Sequence, residues 1–176
     1  MVINPSKEAG LVRFASPANF KSMIAGGNEV ASQFLQPHIG GDAALLAGIA
    51  KQLISQGEID TDYINRYCSD FDEYKDFVNS LTWSIIERES GVKRQEIETA
   101  SSLYQSSSKT IFTWGMGLTH HKNGTENIES IVNLALLRGM VGGEGKGLLP
   151  LRGHSNVQGV GSMGFTPVSY THLRAH

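Results

Sequence analysis

Residues 34–57 have the sequence FLQPHIGGDAALLAGIAKQLISQG, in which a short apolar run is followed by a glycine turn and a helical stripe. Apolar side chains fall at positions 45, 46, 49, 50, 53 and 54, which is the spacing of one buried helix face. Asp42 can cap the start of this helix, and Gly57 can end it. The run over residues 34–38 predicts a strand, so the whole stretch predicts a strand–turn–helix unit.

The flanking sequence continues this alternation of β-rich runs and amphipathic stripes. Residues 2–3 and 110–114 predict buried strands, residues 9–32 predict irregular structure, and residues 139–150 predict a glycine-rich loop. Helices are predicted over residues 43–55, 60–67, 70–81, 85–90, 93–105 and 125–138. Strands separated by helices indicate the α/β class, here a partial layered domain with a mostly parallel sheet of about three strands flanked by helices.

The composition excludes several classes of protein. Hydrophobic residues make up 40% of the chain and charged residues 18%, with a net charge of −2, which argues against nucleic acid as a partner. There is no apolar run of about 18 residues that would predict a membrane span. The first residues lack the apolar segment of a secretory signal, so we expect a cytoplasmic protein. The one cysteine, Cys68, excludes an intrachain disulfide and an iron–sulfur site built from this segment alone, and we expect it to be buried.

Both ends of the chain are atypical of a complete natural protein. A strand as short as residues 2–3 requires a neighbouring strand, so we expect further sequence upstream. Residues 169–176, SYTHLRAH, resemble a translated sequencing-adapter read-through. We therefore expect residues 1–167 to be a fragment cut from a larger multi-domain protein, and residues 168–176 to be a non-native tail.

Three polar or glycine-rich segments follow predicted strands, at the position where parallel strands present ligands. Residues 4–8 offer small polar side chains and a lysine, which suit a sugar or a phosphate. Residues 40–42 offer two unhindered amides, which suit an anionic or polar ligand, and a carboxylate, which suits paired donors such as those of guanine. The third segment is WGMGLTHH, residues 114–121.

Each of these segments also has a purely structural interpretation. Asp42 is a typical helix cap, and Met116 is a typical core residue. His120 and His121 can face solvent rather than form a metal pair, because adjacent side chains diverge in either kind of secondary structure.

Four motifs, taken together, resemble the molybdopterin oxidoreductases. Residues 35–46, LQPHIGGDAALL, resemble the family pattern Q-P-x-x-G-[TG]-D-x-A-L-L, and residues 114–121 resemble W-G-M-G-x-T-Q-H. Residues 133–139, NLALLRG, resemble N-L-A-L-L-T-G, and residues 151–159, LRGHSNVQG, resemble the L-R-G-Q-N-N-V-Q-G of formate dehydrogenases. Because the motifs keep their order and spacing, the chain is identified as an internal fragment of a formate-dehydrogenase-like alpha subunit.

The resemblance implies a bis-molybdopterin guanine dinucleotide cofactor with molybdenum, and the two-electron oxidation of formate or a similar small substrate. It also implies an electron acceptor as a partner. In the family, the metal-ligating Cys or selenocysteine and the cysteines of any iron–sulfur cluster lie upstream, so we expect this fragment to be inactive alone. The positions that match cofactor contacts are Asn4, Pro5, Ser6, Lys7, Glu8, Gly40, Gly41, Asp42, Met116, His120 and His154.

Three of the matched positions need separate comment. His120 and His154 stand where the family usually has Gln, which keeps hydrogen-bonding ability and adds a titratable group. Arg152 matches the family's active-site Arg, whose guanidinium can hold a substrate carboxylate bidentately; a salt bridge or a phosphate clamp is the alternative. Without the family match, the same features indicate a non-catalytic nucleotide-binding α/β module.

Overall fold

The computed structural model describes residues 1–16, 18, 20–24, 26–154 and 156–164. Within these residues helices predominate and the strands are short. The strands are β1 (Val2–Ile3), β2 (Arg13–Phe14), β3 (Asn28–Glu29), β4 (Phe34–Leu35), β5 (Ile111–Trp114) and β6 (Gly147–Pro150). The helices are α1 (Ala9–Val12), α2 (Phe20–Ile24), α3 (Asp42–Gln56), α4 (Thr61–Tyr67), α5 (Phe71–Ser80), α6 (Trp83–Ser90), α7 (Arg94–Gln105), α8 (Met116–Thr119), α9 (Gly124–Leu137) and α10 (Val157–Ser162).

The central helix is α3, which packs against α5, α6, α7 and α9. The predicted apolar stripe forms its inner face, and Leu45, Ile49 and Leu53 are fully buried. Burying each of these side chains contributes about 1.5–3 kcal/mol. Gly48 lets α6 and α7 approach closely, because a Cβ at this position would lie 2.9 Å from the Ile86 side chain. Gly57 ends the helix in the left-handed conformation, as the sequence predicts.

The strands form three separate two-stranded sheets. β1 pairs with β4 and β5 pairs with β6, both in parallel, whereas β2 and β3 are antiparallel. The mixed α/β class with parallel strands is therefore confirmed. The predicted sheet is divided, however, since β1 and β5 share no hydrogen-bonded ladder among the described residues.

Two segments differ from the sequence prediction. Residues 147–150 are predicted as loop but form β6, because β5 supplies a partner strand that a single-sequence pattern does not reveal. Residues 9–32, predicted as irregular, contain α1, α2 and the β2–β3 pair. Gly27 sits close to the backbone of Phe14 in this pair, where a Cβ would lie 2.8 Å from the carbonyl carbon.

Side-chain caps begin two of the predicted helices. Asp60 accepts a hydrogen bond from the Tyr63 amide at 2.9 Å, which confirms the predicted start of α4. Thr82 accepts from the Ile85 amide at 3.3 Å at the start of α6. Cys68, predicted to be buried, is only half-buried, since it lies just past the end of α4.

Two further expectations concern the chain as a whole. No helix in the described part of the chain is long and apolar enough to cross a membrane. The predicted non-native tail, residues 168–176, lies outside the described residues.

Candidate functional site

The segment after β1 is held by hydrogen bonds within itself and to the neighbouring strand. The Asn4 amide donates to the Leu35 carbonyl at 3.0 Å, and the Asn4 side-chain amide donates to Glu8 at 3.1 Å. The Gln36 side chain donates to the Pro5 carbonyl at 3.2 Å. These contacts fix the turn and leave Ser6, Lys7 and Glu8 exposed to a ligand.

The glycine turn before α3 differs from the prediction in two respects. The helix cap is Gly41, and Asp42 is the first helical residue without a capping hydrogen bond from its side chain. The Gly41 amide donates to the His38 carbonyl at 2.9 Å, so of the two amides predicted to suit a ligand, this one is already engaged within the chain. Gly41 is also packed against α6, where a Cβ would lie 2.5 Å from the Glu89 carbonyl oxygen.

Asp42 is a largely buried residue, with 8% of its surface exposed. Burial raises the pKa of this carboxyl, while a hydrogen bond from its own backbone and the charge of nearby His121 lower it. Among the described residues no other side chain donates a hydrogen bond to it. A buried acceptor of this kind suits a ligand that brings paired N–H donors.

The segment after β5 forms the short helix α8 and then turns into α9. Met116 is 38% exposed, and His120 is exposed as well. The turn is held by Asn127, a buried residue whose side chain donates to the Leu118 carbonyl at 3.2 Å. His121 is half-buried, and its charge lowers the pKa of Asp42, so this segment lies near the glycine turn.

The segment after β6 lies beside the segment after β5. The Leu151 amide donates to the Trp114 carbonyl at 2.7 Å. A Cβ on Gly153 would lie 3.2 Å from the Met116 sulfur, so the two segments touch. Arg152 and His154, on either side of Gly153, have exposed side chains. None of the ion pairs found among the described residues involves Arg152, so the salt-bridge interpretation gains no support there.

A cavity of about 460 Å³ lies beside two of these segments. Ile3, Asp42 and Leu118 line it together, and they are neighbours in sequence of Asn4, the glycine turn and Met116. Residues of the glycine turn and of the segment after β5 therefore share one cavity, and the close approach of Asn4, Asp42 and Met116 to one another remains a prediction.

The effect of His121 on Asp42 is not evident from the sequence. The sequence favours His120, which stands where the family has Gln, whereas it is the charge of His121 that lowers the pKa of Asp42. Adjacency in sequence was the only available signal, and it does not tell which of the two rings faces inward. Within the described residues, no group of three or more His, Cys, Asp or Glu side chains could hold a metal ion.

Comparison with known proteins identifies the family. A family model described as molybdopterin oxidoreductase matches residues 3–171. Protein YdeP of Escherichia coli K12 is 38% identical over 177 residues, which cover 94% of this chain and 23% of that protein. A putative formate dehydrogenase, YrhE of Bacillus subtilis, is 34% identical over 143 residues, which cover 80% of this chain and 15% of that protein.

A solved structure shows the same fold. Acetylene hydratase from Pelobacter acetylenicus superposes with a TM-score of 0.58 at 23% identity, covering 61% of this chain and 15% of that chain. The chain spans less than a quarter of the length of the curated relatives described above. The match of the family model over nearly all of its residues shows that this chain belongs to the molybdopterin oxidoreductase family.

Proposed function

We propose that the complete protein binds bis-molybdopterin guanine dinucleotide with molybdenum, and that it catalyses the two-electron oxidation of formate or a similar small substrate. Family membership supports an oxidoreductase with a molybdopterin-type cofactor. Similarity to a protein named putative formate dehydrogenase supports the substrate class. The observation that carries the proposal is the largely buried Asp42, whose carboxyl group lines a cavity and has no side-chain donor among the described residues.

One part of the site would hold the guanosine end of the cofactor. Asp42 would accept hydrogen bonds from the N1–H and amino group of guanine, which would satisfy the buried carboxylate. Gly40 has open space around it and a positive φ of 85°, so the chain can approach a flat base there. Residues 4–8 present Ser6 and Lys7 to the sugar and the phosphates.

The other part of the site would face the pterin and the substrate. Met116, His120 and His154 would contact the cofactor, and Arg152 would hold the substrate carboxylate with its planar fork of donors. The bound cofactor supplies the electron chemistry. Any iron–sulfur cluster would be held by residues outside this chain, which has one cysteine.

Asp42→Asn in the full-length protein tests the guanine assignment. Asparagine keeps the volume but replaces one acceptor oxygen with a donor, so a charged hydrogen-bond pair is lost. The expected cost is about 1.5–3 kcal/mol, or roughly 10- to 150-fold in cofactor affinity. Molybdenum and the GMP released by acid hydrolysis, both measured per mole of purified protein, should fall together.

A matched control separates this effect from a loss of folding. Asp62 also lies in the first turn of a helix, but it is exposed, so Asp62→Asn should keep the cofactor content. Because burial raises the pKa of Asp42, its ionised form costs stability as the pH rises, so Asp42→Asn should be at least as stable as the wild type at neutral pH. Full molybdenum and GMP content in Asp42→Asn would contradict the assignment.

A further inference from the structure

The cavity of about 460 Å³ lies between the two parallel strand pairs. Ile3 of β1 lines it from one side, and Ile111, Phe112 and Thr113 of β5 line it from the other. Helices α3 and α9 contribute apolar side chains, namely Leu46, Ile49, Ile131 and Leu134. A volume of this order also suits a small ligand, so the volume does not identify the occupant. The hydrogen-bonding groups of the two strands identify it.

The backbone of β1 leaves one edge open. In a parallel ladder the N–H and C=O of one residue point to the same side, and successive residues alternate between the two sides. The Val2 amide donates to the Gln33 carbonyl at 2.9 Å, and the Asn4 amide donates to the Leu35 carbonyl at 3.0 Å. The N–H and C=O of Ile3 therefore point away from β4, and Ile3 lines the cavity.

The backbone of β5 shows the same alternation. The carbonyl of Thr110 accepts from the Gly147 amide at 3.2 Å, and the carbonyl of Trp114 accepts from the Leu151 amide at 2.7 Å. Ile111 and Thr113 are out of phase with these two residues, so their N–H and C=O groups point away from β6. Ile111 is also 55% exposed, which is unusual for a β-branched apolar residue in a strand between helices.

We propose that a β-strand from a part of the complete protein outside these 176 residues fills the space between β1 and β5. It would run parallel to both strands and join the two pairs into one five-stranded sheet in the order β4, β1, new strand, β5, β6. The apolar helix side chains beneath the space require this strand to be rich in Val, Ile or Leu. This inference rests on the backbone geometry and goes beyond the proposed function.

Two observations favour this occupant over a second copy of the chain. The chain spans 23% of the relative YdeP, so a family member has ample further sequence to supply a strand. The strands β1 and β5 of a second copy are each already bonded along one edge, to β4 and β6. Neither could offer two free edges, whereas a strand placed between β1 and β5 needs both.

The inserted strand would also contribute to the site. Its carboxyl end would emerge between Asn4, which follows β1, and Gly115, which follows β5. In open α/β sheets ligands bind outside the carboxyl ends of the strands, where the strand order reverses. The residue that follows the inserted strand would therefore stand at the centre of the site, and the 176-residue chain alone would lack it.

Amide hydrogen exchange of the full-length protein, resolved to single residues, tests the proposal. The Ile111 and Thr113 amides should exchange at least about 100-fold more slowly than in an unstructured peptide, because the new strand accepts from them. Phe112, whose amide faces β6, is the internal reference for a bonded amide in the same strand. Exchange of Ile111 and Thr113 at the unstructured rate, with Phe112 protected, would overturn the proposal.

A photocrosslinking experiment identifies the occupant. Benzoylphenylalanine is placed at Ile111 in the full-length protein, and the crosslinked peptides are sequenced by mass spectrometry. A crosslink to one apolar segment outside residues 1–176 supports the proposal. Crosslinks to a second copy, or crosslinks confined to residues 1–176, overturn it. Benzoylphenylalanine at Leu149, an exposed residue of β6, is the control and should not reach the same segment.

Discussion

Tyr104 joins α7, α9 and β5, and its hydroxyl group can be removed without changing the ring. Tyr104 is 4% exposed, and its hydroxyl donates to the Leu134 carbonyl at 3.0 Å. Its ring meets Phe112 edge-on at 5.5 Å, and the Arg138 guanidinium lies 5.1 Å above it. Both ring contacts survive in Tyr104→Phe, so this variant isolates the hydrogen bond.

The cost of Tyr104→Phe follows from the position of Leu134 in the last turn of α9. The amide that would normally bond the Leu134 carbonyl is that of Arg138, which donates to Ala135 and Leu136 instead. Removing the hydroxyl therefore leaves a buried carbonyl without its partner. Such a group costs about 1–3 kcal/mol. With a urea m-value of about 2 kcal/mol/M, the unfolding midpoint should fall by about 0.5–1.5 M.

Urea unfolding of the full-length protein, followed by hydrogen exchange of the amides in α7 and α9, measures this shift. Tyr67→Phe is the matched control, because Tyr67 is 70% exposed and its hydroxyl makes no hydrogen bond within the described residues. The unfolding free energy of Tyr67→Phe should differ from that of the wild type by less than about 0.5 kcal/mol. If Tyr104→Phe unfolds at the same urea concentration as the wild type, the hydrogen bond from Tyr104 to the Leu134 carbonyl does not stabilise the fold.

Three further predictions concern the substrate, the turn after α6 and alkaline pH. Arg152→Lys in the full-length protein should lower turnover at least about tenfold at normal molybdenum content, because lysine keeps the charge but loses the planar fork of guanidinium donors. Loss of cofactor instead would indicate that Arg152 holds a cofactor phosphate, and unchanged turnover would remove it from the mechanism. Gly91→Ala should lower the unfolding free energy by about 1–3 kcal/mol, and by more than Gly57→Ala, since both glycines have positive φ but only Gly91 packs against His38. Burial raises the pKa of Tyr74 from 10.0 to about 12, so stability in urea should fall between these pH values, and Tyr74→Phe should reduce that fall.

The parts of the fold that depend on local sequence could be predicted. The apolar stripe of α3 specifies its buried face because helix periodicity is set within a few residues. The same holds for Asp60, whose cap involves an amide three residues away, whereas the helix predicted to begin at residue 85 begins at Trp83 after the Thr82 cap. The strand β6 could not be predicted, because Gly147–Pro150 becomes a strand only through its pairing with β5, more than thirty residues earlier.

The candidate site shows the same division between local and distant causes. The sequence placed Asp42 at a helix start after a strand, and the structure agrees. It could not show that Gly41 is held against the end of α6, a contact between residues almost fifty positions apart. Nor could it distinguish His121 from His120, because their distances from Asp42 depend on how α8 turns into α9.

The contact of Gly41 with α6 has a consequence for how the two positions tolerate substitution. The contact joins main chain to main chain, since a Cβ on Gly41 would meet the carbonyl oxygen of Glu89 and the Cα of Ser90. The Glu89 side chain instead pairs with Arg88 and is 55% exposed. In a saturation library, position 41 should therefore accept glycine alone, while position 89 should accept most residues, although both help to place the Asp42 carboxyl.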